Sequence, residues 1–314
     1  MNSSAIATLQ QHLLCALNPA PEETRRLLHG RGQCWPGLEQ ITVDWLQGVL
    51  LVVLFRAPDA AELQALKLML TTLGQSSPWR LSGARGLLLQ HRYLPDSPGE
   101  WLLGEPVGAW PISEHGLHFT LDLGKNQNSG LFLDMRYGRQ WVQANAHGRR
   151  VLNLFAYTCG FSVAAIAGGA QQVVNLDMAK AALSRGRDNH RLNGHDLSRV
   201  SFLGHELFKS WSKVRKYGPY DLIIIDPPSF QKGSFVLSQD YQKILRRLPE
   251  LLSVGGQVLA CVNDPQTRAE FLIEGVAEHA PGLRFVQRLD NPPEFADRDP
   301  QGGLKALVFE LAPA

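Results

Sequence analysis

From about residue 137 onward, short apolar runs alternate with amphipathic stretches of helical length. VLNLF (151–155), QVVNLD (172–177), VSFLG (200–204), DLIIID (221–226), QVLACV (257–262), LRFVQRL (283–289) and LKALVFEL (304–311) predict seven strands. Near-continuous Val, Ile and Leu suits strands covered on both faces, and the helix-length stretches at 179–193 and 239–252 supply part of that cover. The pattern is that of an α/β fold with a mostly parallel sheet. Pro292 and Pro293, with no clear helix, separate the last two runs, which predicts an antiparallel pair at one edge.

The first part of the chain reads differently. Residues 41–55 form two apolar runs around Gln47 and Gly48, the signature of a hairpin, and 61–73 has helical spacing. Residues 101–124 suggest further strands with turns at Gly104, Gly108 and Gly116. This α+β pattern predicts a smaller N-terminal domain over 1–113. Residues 114–314 then form the larger domain, entered through a connecting β-hairpin.

Composition changes this picture little. Hydrophobic residues make up 44% and charged residues 19%, ordinary values for a globular chain. No apolar run reaches the roughly 18 residues of a membrane span. The N-terminus lacks the basic segment and uninterrupted apolar stretch of a signal peptide. Cys15, Cys34, Cys159 and Cys261 lie far apart, which fits a reducing cytoplasm and neither a disulfide framework nor a zinc cluster. Net charge is +2; residues 1–113 carry 8 basic and 9 acidic side chains, so charge alone argues weakly for a nucleic-acid partner.

Candidate chemistry gathers at the ends of the predicted strands, where open α/β sheets bind ligands. The first strand runs into AYTCGFS, where Gly160 permits close backbone approach before a helix N-terminus. Asp177 ends the second strand, placed to accept from a ribose diol. His205 and Glu206 end the third and Asp226 the fourth. One glycine at such a turn says little, but four successive strand ends with this chemistry suit a nucleoside. The rival dinucleotide fold usually shows a fuller G-x-G-x-x-G, which is absent.

DPPSF (226–230) follows the fourth strand directly. Two prolines stiffen the loop. The Asp226 carboxylate and Pro227 carbonyl can accept from a planar base, and Phe230 can stack on it. The bland alternative is a rigid turn with Phe230 in the core.

These segments resemble class I S-adenosylmethionine (SAM)-dependent methyltransferases, within them the bacterial 23S ribosomal RNA enzymes that modify cytosine C5 or guanine. GLFLDMR (130–136) is similar to that group's TGxFLDxR, VLNLFAYTCGFSVAA (151–165) to its VLNxFxYTGGFSV, and IDPPSF (225–230) to its DPPxF. Residues 29–52 resemble the start of its preceding α+β domain. The resemblance implies a seven-stranded Rossmann-like sheet in the order 3-2-1-4-5-7-6. It implies SAM contacts at Phe155, Tyr157, Gly160, Asp177, Glu206 and Asp226, with Gln127, Phe132 and Arg136 near donor or acceptor. Two departures stand out: the third strand runs into GHELF, where relatives tend to have Asp-Asp or Gly-Asp, and Cys159 stands where they often have Gly.

The chemistry of the acceptor separates the bases. Cytosine C5 needs a thiolate to add at C6 first. In the C5 branch that Cys follows the fifth strand, and matching from Gly255–Gly256 puts Asn263 at its place, with Cys261 two residues deeper. A guanine nitrogen needs no covalent step. The expectation is therefore a guanine nitrogen of 23S rRNA, N7 slightly ahead of N2, with Asp226, Pro227, Phe230 and Asn263 as the catalytic set. The alternatives are cytosine C5, a small molecule or a protein as acceptor, and a non-catalytic SAM- or RNA-binding module. No metal is expected, and a homodimer is left open.

Two further features bear on RNA. KSWSKVRKYG (209–218) interleaves basic residues with Trp211 and Tyr217, and reads more readily as a solvated helix face than as an RNA path. Arg25, Arg26, Arg31, Arg80, Arg85 and Arg92 are candidates to meet phosphate from the first domain.

Overall fold

The computed structural model describes residues 1–124, 126–231 and 234–312. The chain divides into two compact units, 1–133 with 293–300, and 134–292 with 301–314.

In the first unit, α1 (Ser3–Ala16) is capped by Asn2, whose side chain accepts from the Ala5 amide, and buries Ile6, Leu9 and Leu13. Strands β1 (Arg25–His29), β2 (Ile41–Trp45) and β3 (Val49–Leu54) follow. The expected β2–β3 hairpin is present: Gln47 (φ 51°) and Gly48 (φ 113°) take the left-handed backbone that such a turn requires. A capping box between Asp59 and Glu62 starts α2 (Ala60–Leu73), and a short α3 (Ser77–Leu81) leads to β4 (Gly86–His91), parallel to β3. With β5 (Gly99–Leu103) the sheet runs in chain order, β1 to β5. A separate hairpin, β6 (Ala109–Glu114) and β7 (Leu117–Asp122), turns at His115 and Gly116.

The boundary differs from the expectation at residue 113. Hydrogen bonds join Gln47 Nε2 to Ser113 Oγ (2.9 Å), Trp110 Nε1 to the Leu46 carbonyl (2.6 Å) and the Thr24 amide to the Ser113 carbonyl (3.2 Å). These tie the hairpin into the first unit, and the division falls after Leu133.

The second unit opens with α4 (Arg136–Asn145). Then come β8 (Arg150–Leu154), α5 (Gly160–Ala167), β9 (Gln172–Leu176), α6 (Lys180–Leu192), β10 (Val200–Leu203), α7 (Trp211–Arg215) and β11 (Tyr220–Ile225). A two-residue ribbon, β12 (Phe230–Gln231) and β13 (Phe235–Val236), precedes α8 (Leu237–Leu245), α9 (Leu248–Leu251), β14 (Leu252–Val262), α10 (Glu270–His279), β15 (Leu283–Leu289) and β16 (Lys305–Leu311). The sheet order β10-β9-β8-β11-β14-β16-β15 is the seven-stranded order expected, with β16 antiparallel to both neighbours. Alternate side chains fill two cores: Leu152, Leu154, Ile223 and Ile225 on one face, Val151, Leu222 and Ile224 on the other. Burial on both faces is why these strands read as continuous apolar runs.

Two expectations are corrected here. The helix over 239–252 is two helices, broken around Arg246–Arg247 where Pro249 cannot continue the hydrogen-bond ladder, and Leu252 already begins β14. The last two strands pair as expected, but the intervening residues 293–300 belong to the first unit, where the Arg298 amide donates to the Gly32 carbonyl at 2.7 Å. Among the described residues no helix is long and apolar enough to cross a membrane.

Candidate functional site

Apolar β8 and β9 carry their ends to one edge of the sheet, and the loop after β8 is unusual there. Phe155, Tyr157 and Cys159 all have positive φ (56°, 47° and 63°). Left-handed backbone disfavours side chains with a Cβ, and such strain concentrates at ligand sites. Several contacts hold it: the Tyr157 amide donates to Asp177 Oδ2 at 2.8 Å, the Ala156 amide to the Leu176 carbonyl at 3.1 Å, and Asn189 Nδ2 to the Thr158 carbonyl at 3.1 Å. Position 159, where the resembling sequences often carry Gly, is the left-handed N-cap of α5, so Cys159 occupies a conformation that Gly adopts without cost. Its side chain is fully buried, and a Cβ on Gly186 of α6 would lie 2.3 Å from its sulfur. Gly186 is thus a positioning glycine that the sequence reading missed.

Asp177 also accepts from the Ala179 amide at 2.8 Å, through Oδ1. Each carboxylate oxygen keeps a second lone pair for a ligand. Glu206 accepts from the Phe208 amide at 2.8 Å and lies 3.6 Å from Lys209 Nζ. Phe155, Asp177 and Glu206 line one cleft together with Met178, His205 and Phe208. Two carboxylates beside aromatic and thioether surface offer the acceptors and apolar faces that a nucleoside requires, although the cleft itself encloses only about 20 Å³. Phe208, Gln231 and Ser234 also line the cleft and were not anticipated. The apolar residue two positions after Glu206 in GHELF was the available signal for Phe208.

The second half of the site lies after β11 and β14. Pro227 is buried, and Phe230 is 66% exposed, so Phe230 is not a core residue. The Asp226 carboxyl is pushed up to about 7, chiefly by burial and then by the Asp134 carboxylate, with Arg139 opposing. Asn263 Nδ2 donates to Asp134 Oδ2 at 2.8 Å. Behind them the Tyr241 hydroxyl donates to the carbonyls of Cys261 (3.3 Å) and Ile225 (3.5 Å), joining the ends of the two strands. Cys261 is fully buried within β14, and burial with the nearby Asp226 and Asp134 charges holds its thiol well above the usual range.

Gln127 and the 42%-exposed Phe132 lie in the first unit, where the Gln127 carbonyl accepts from Arg92 at 3.0 Å. Arg136 is buried at the start of α4. Of the N-terminal arginines, Arg26 is engaged bidentately by Asp44 (2.7 and 3.0 Å), and Arg80 bonds its own helix region at Gln75 and Ser77. Arg31 and Arg92 both lie over the Phe55 ring, at 4.4 and 5.4 Å. Trp211 and Tyr217 are half-buried against the core, as a solvated helix face with inward aromatics requires. No group of three or more His, Cys, Asp or Glu among the described residues could hold a metal.

Residues 25–310 match the family model described as S-adenosylmethionine-dependent methyltransferase. The chain is 34% identical over 241 residues to a ribosomal RNA large subunit methyltransferase I of Serratia proteamaculans, covering 75% of this chain and 59% of that protein. It is 38% identical over 163 residues to the protein of the same name from Erwinia tasmaniensis, covering 50% and 41%. The chain thus spans about half the length of these relatives. In fold it is similar to a Streptococcus mutans protein assigned as a SAM-dependent methyltransferase (TM-score 0.85, 24% identity, 98% of this chain and 81% of that one). It is also similar to a tRNA m1G37 methyltransferase of M. jannaschii (TM-score 0.61, 17% identity, 87% and 72%).

Proposed function

We propose that this chain, which belongs to the S-adenosylmethionine-dependent methyltransferase family, transfers a methyl group from SAM to a guanine nitrogen of 23S ribosomal RNA. Support for ribosomal RNA comes from the relatives named for that substrate. A solved methyltransferase of the same fold is described as complexed with SAH.

The observation that carries nitrogen over carbon is the state of Cys261. Carbon methylation of cytosine needs an accessible thiolate. Cys261 is 0% exposed and its thiol is held protonated, while the position at the strand end is Asn263. Cys159 is equally buried.

When bound, SAM supplies an electrophilic methyl carbon on a sulfonium. In this reading Asp177 and Glu206 take the polar groups of its nucleoside, Phe155, Tyr157 and Gly160 shape its bed, and Asp226 closes it on the acceptor side. Pro227 and Asn263 orient the base edge and Phe230 covers its face. Rate then comes mainly from alignment of the acceptor lone pair with the S–CH3 bond. Arg136 is assigned to the same site through the resemblance. Arg31 and Arg92, stacked on Phe55, support a role for the first unit in RNA contact. We place the reaction in the cytoplasm, where ribosomal RNA is modified.

The test is mass spectrometry of nucleosides from 23S rRNA of cells with and without the gene. Loss of one methylguanosine is expected. Loss of 5-methylcytidine, or of nothing, overturns the reading and favours cytosine C5 or a non-RNA acceptor.

A further inference from the structure

Two segments on one side of the large sheet carry a positive surplus that the chain as a whole lacks. Residues 206–218 hold Lys209, Lys213, Arg215 and Lys216 against Glu206, and 240–250 hold Lys243, Arg246 and Arg247 against Asp240 and Glu250. Seven cations face three acids there, whereas the net charge of the whole chain is +2. Both segments pack on the same core, through Leu207 and Val214 from the first and Tyr241 and Ile244 from the second. Arg215 Nη1 reaches across to Glu250 at 3.7 Å.

Between the segments runs a groove of about 860 Å³, lined by Phe208, Lys209, Trp211, Lys243, Arg246 and Arg247. The rings of Phe208 and Trp211 stand 6.3 Å apart, with Lys243 Nζ 5.5 Å from the first and the Arg247 guanidinium 5.9 Å from the second. The three acids pair locally: Glu206 with Lys209 (3.6 Å), Asp240 with Lys243 (2.6 Å) and Glu250 with Arg247 (3.0 Å). Exposed pairs of this kind contribute only about 0–1 kcal/mol, and each cation keeps further N–H donors. Arg246 is exposed and donates to the neutral Gln242 side chain at 2.9 Å. At its inner end the groove shares Phe208, Gln231 and Ser234 with the cofactor cleft and reaches the ribbon that begins at Phe230.

A base that reaches a methyl donor has left its stack, so the nucleotides beside it are held as single strand, with phosphates and ring faces both exposed. A groove that alternates cations with aromatic rings meets both. We propose that the groove between α7 and α8–α9 is the path of the RNA strand beside the target nucleotide, with Arg246 and Arg247 on its phosphates and Trp211 against a base. This rests on the RNA reading above. The sequence favours a solvated face for 209–218; the groove gives that face a partner. It also gives the second unit a hold on RNA of its own, besides Arg31 and Arg92 in the first.

The experiment measures binding of the full chain to a fluorescein-labelled oligouridylate of about 12 nucleotides, by anisotropy across a salt series. The single strand should bind more tightly than a duplex of equal length. Arg246→Gln with Arg247→Gln should flatten the slope of log K against log salt by about 1.4, the loss of two single-strand phosphate contacts, which is roughly 25-fold in affinity at about 0.1 M salt. The Kd for SAM and the melting temperature should stay near wild type. Arg187→Gln with Arg191→Gln makes the same charge change on α6, which packs on the other side of the sheet through Leu183 and Phe202, and should leave the slope unchanged. Equal losses in the two double variants, an unchanged slope in the first, or tighter binding of the duplex overturns the groove as the strand's path. Methylation of 23S rRNA by the wild-type chain then leaves the RNA reading standing. A wild-type chain that neither binds the oligonucleotide nor methylates 23S rRNA overturns both.

Discussion

The Tyr157 amide donates to Asp177 Oδ2 at 2.8 Å, so the carboxylate that ends β9 also holds the left-handed loop that follows β8. Binding chemistry and loop conformation are therefore coupled through one side chain. Asp177→Ala removes acceptors from two backbone amides, those of Tyr157 and Ala179. Hydrogen bonds to a charged group contribute about 1.5–3 kcal/mol each. The expected outcome is SAM binding weakened by at least about 100-fold in calorimetry, as about 2.7 kcal/mol would produce. An unchanged Kd would separate Asp177 from the donor.

Asp226 gives a pH prediction with a definite sign. Its carboxyl rises from 3.8 to about 7 in the folded protein, through burial and Asp134, against Arg139; Tyr241 and Cys261 lie beside it and are themselves pushed up. Between those values the folded state keeps a proton that the unfolded chain has lost, so this group's contribution to stability falls as pH rises through the window. Asp226→Asn should therefore raise the melting temperature at pH 8 and leave it nearly unchanged at pH 4, while reducing turnover severely. An equal shift at both pH values would remove titration as the cause.

Phe230 is exposed, and its replacement separates function from stability. Phe230→Ala should change stability by no more than about 0.5 kcal/mol, as for other surface substitutions. Loss of base stacking, about 1–3 kcal/mol, should lower kcat/KM by roughly 5- to 150-fold. Denaturant melts beside single-turnover methylation of 23S rRNA measure both quantities.

The four cysteines divide two and two. Cys15 and Cys34 are exposed, Cys159 and Cys261 buried. Iodoacetamide on the native protein should add two labels by intact mass, and four after denaturation. Cys261→Ala should keep methyl transfer in its folded fraction. Complete loss of transfer with the fold retained would restore the thiol mechanism.

A buried polar chain offers a stability test remote from the acceptor. Asn153 Nδ2 donates to Asn175 Oδ1, Asn175 Nδ2 to Ser162 Oγ, and Ser162 contacts His190 Nε2, each at 2.9 Å. Asn175→Ala strips partners from two of these groups, and each unsatisfied buried polar atom costs about 1–3 kcal/mol. A drop of at least about 2 kcal/mol in urea melts is expected.

The seven strands were legible because burial on both faces leaves an unbroken apolar run, a signal that needs no knowledge of neighbours. β1, with its paired arginines, and the break before Pro249 were harder: one strand is short and charged, and the other interruption lies inside an apparently continuous amphipathic pattern. Strand-end residues Asp177, Glu206 and Asp226 were legible for a related reason, since strand ends are marked by the sequence itself. What chain order alone determined was the sheet, the position of its functional edge and the residue types available there. Tertiary structure decided which of them meet. Asp134 and Asn263 are distant in sequence, Gly186 matters only because α6 crosses Cys159, and residues 293–300 leave one unit for the other. Such contacts depend on how elements pack, and hydrophobic periodicity carries the direction each residue faces but not the partner it finds there.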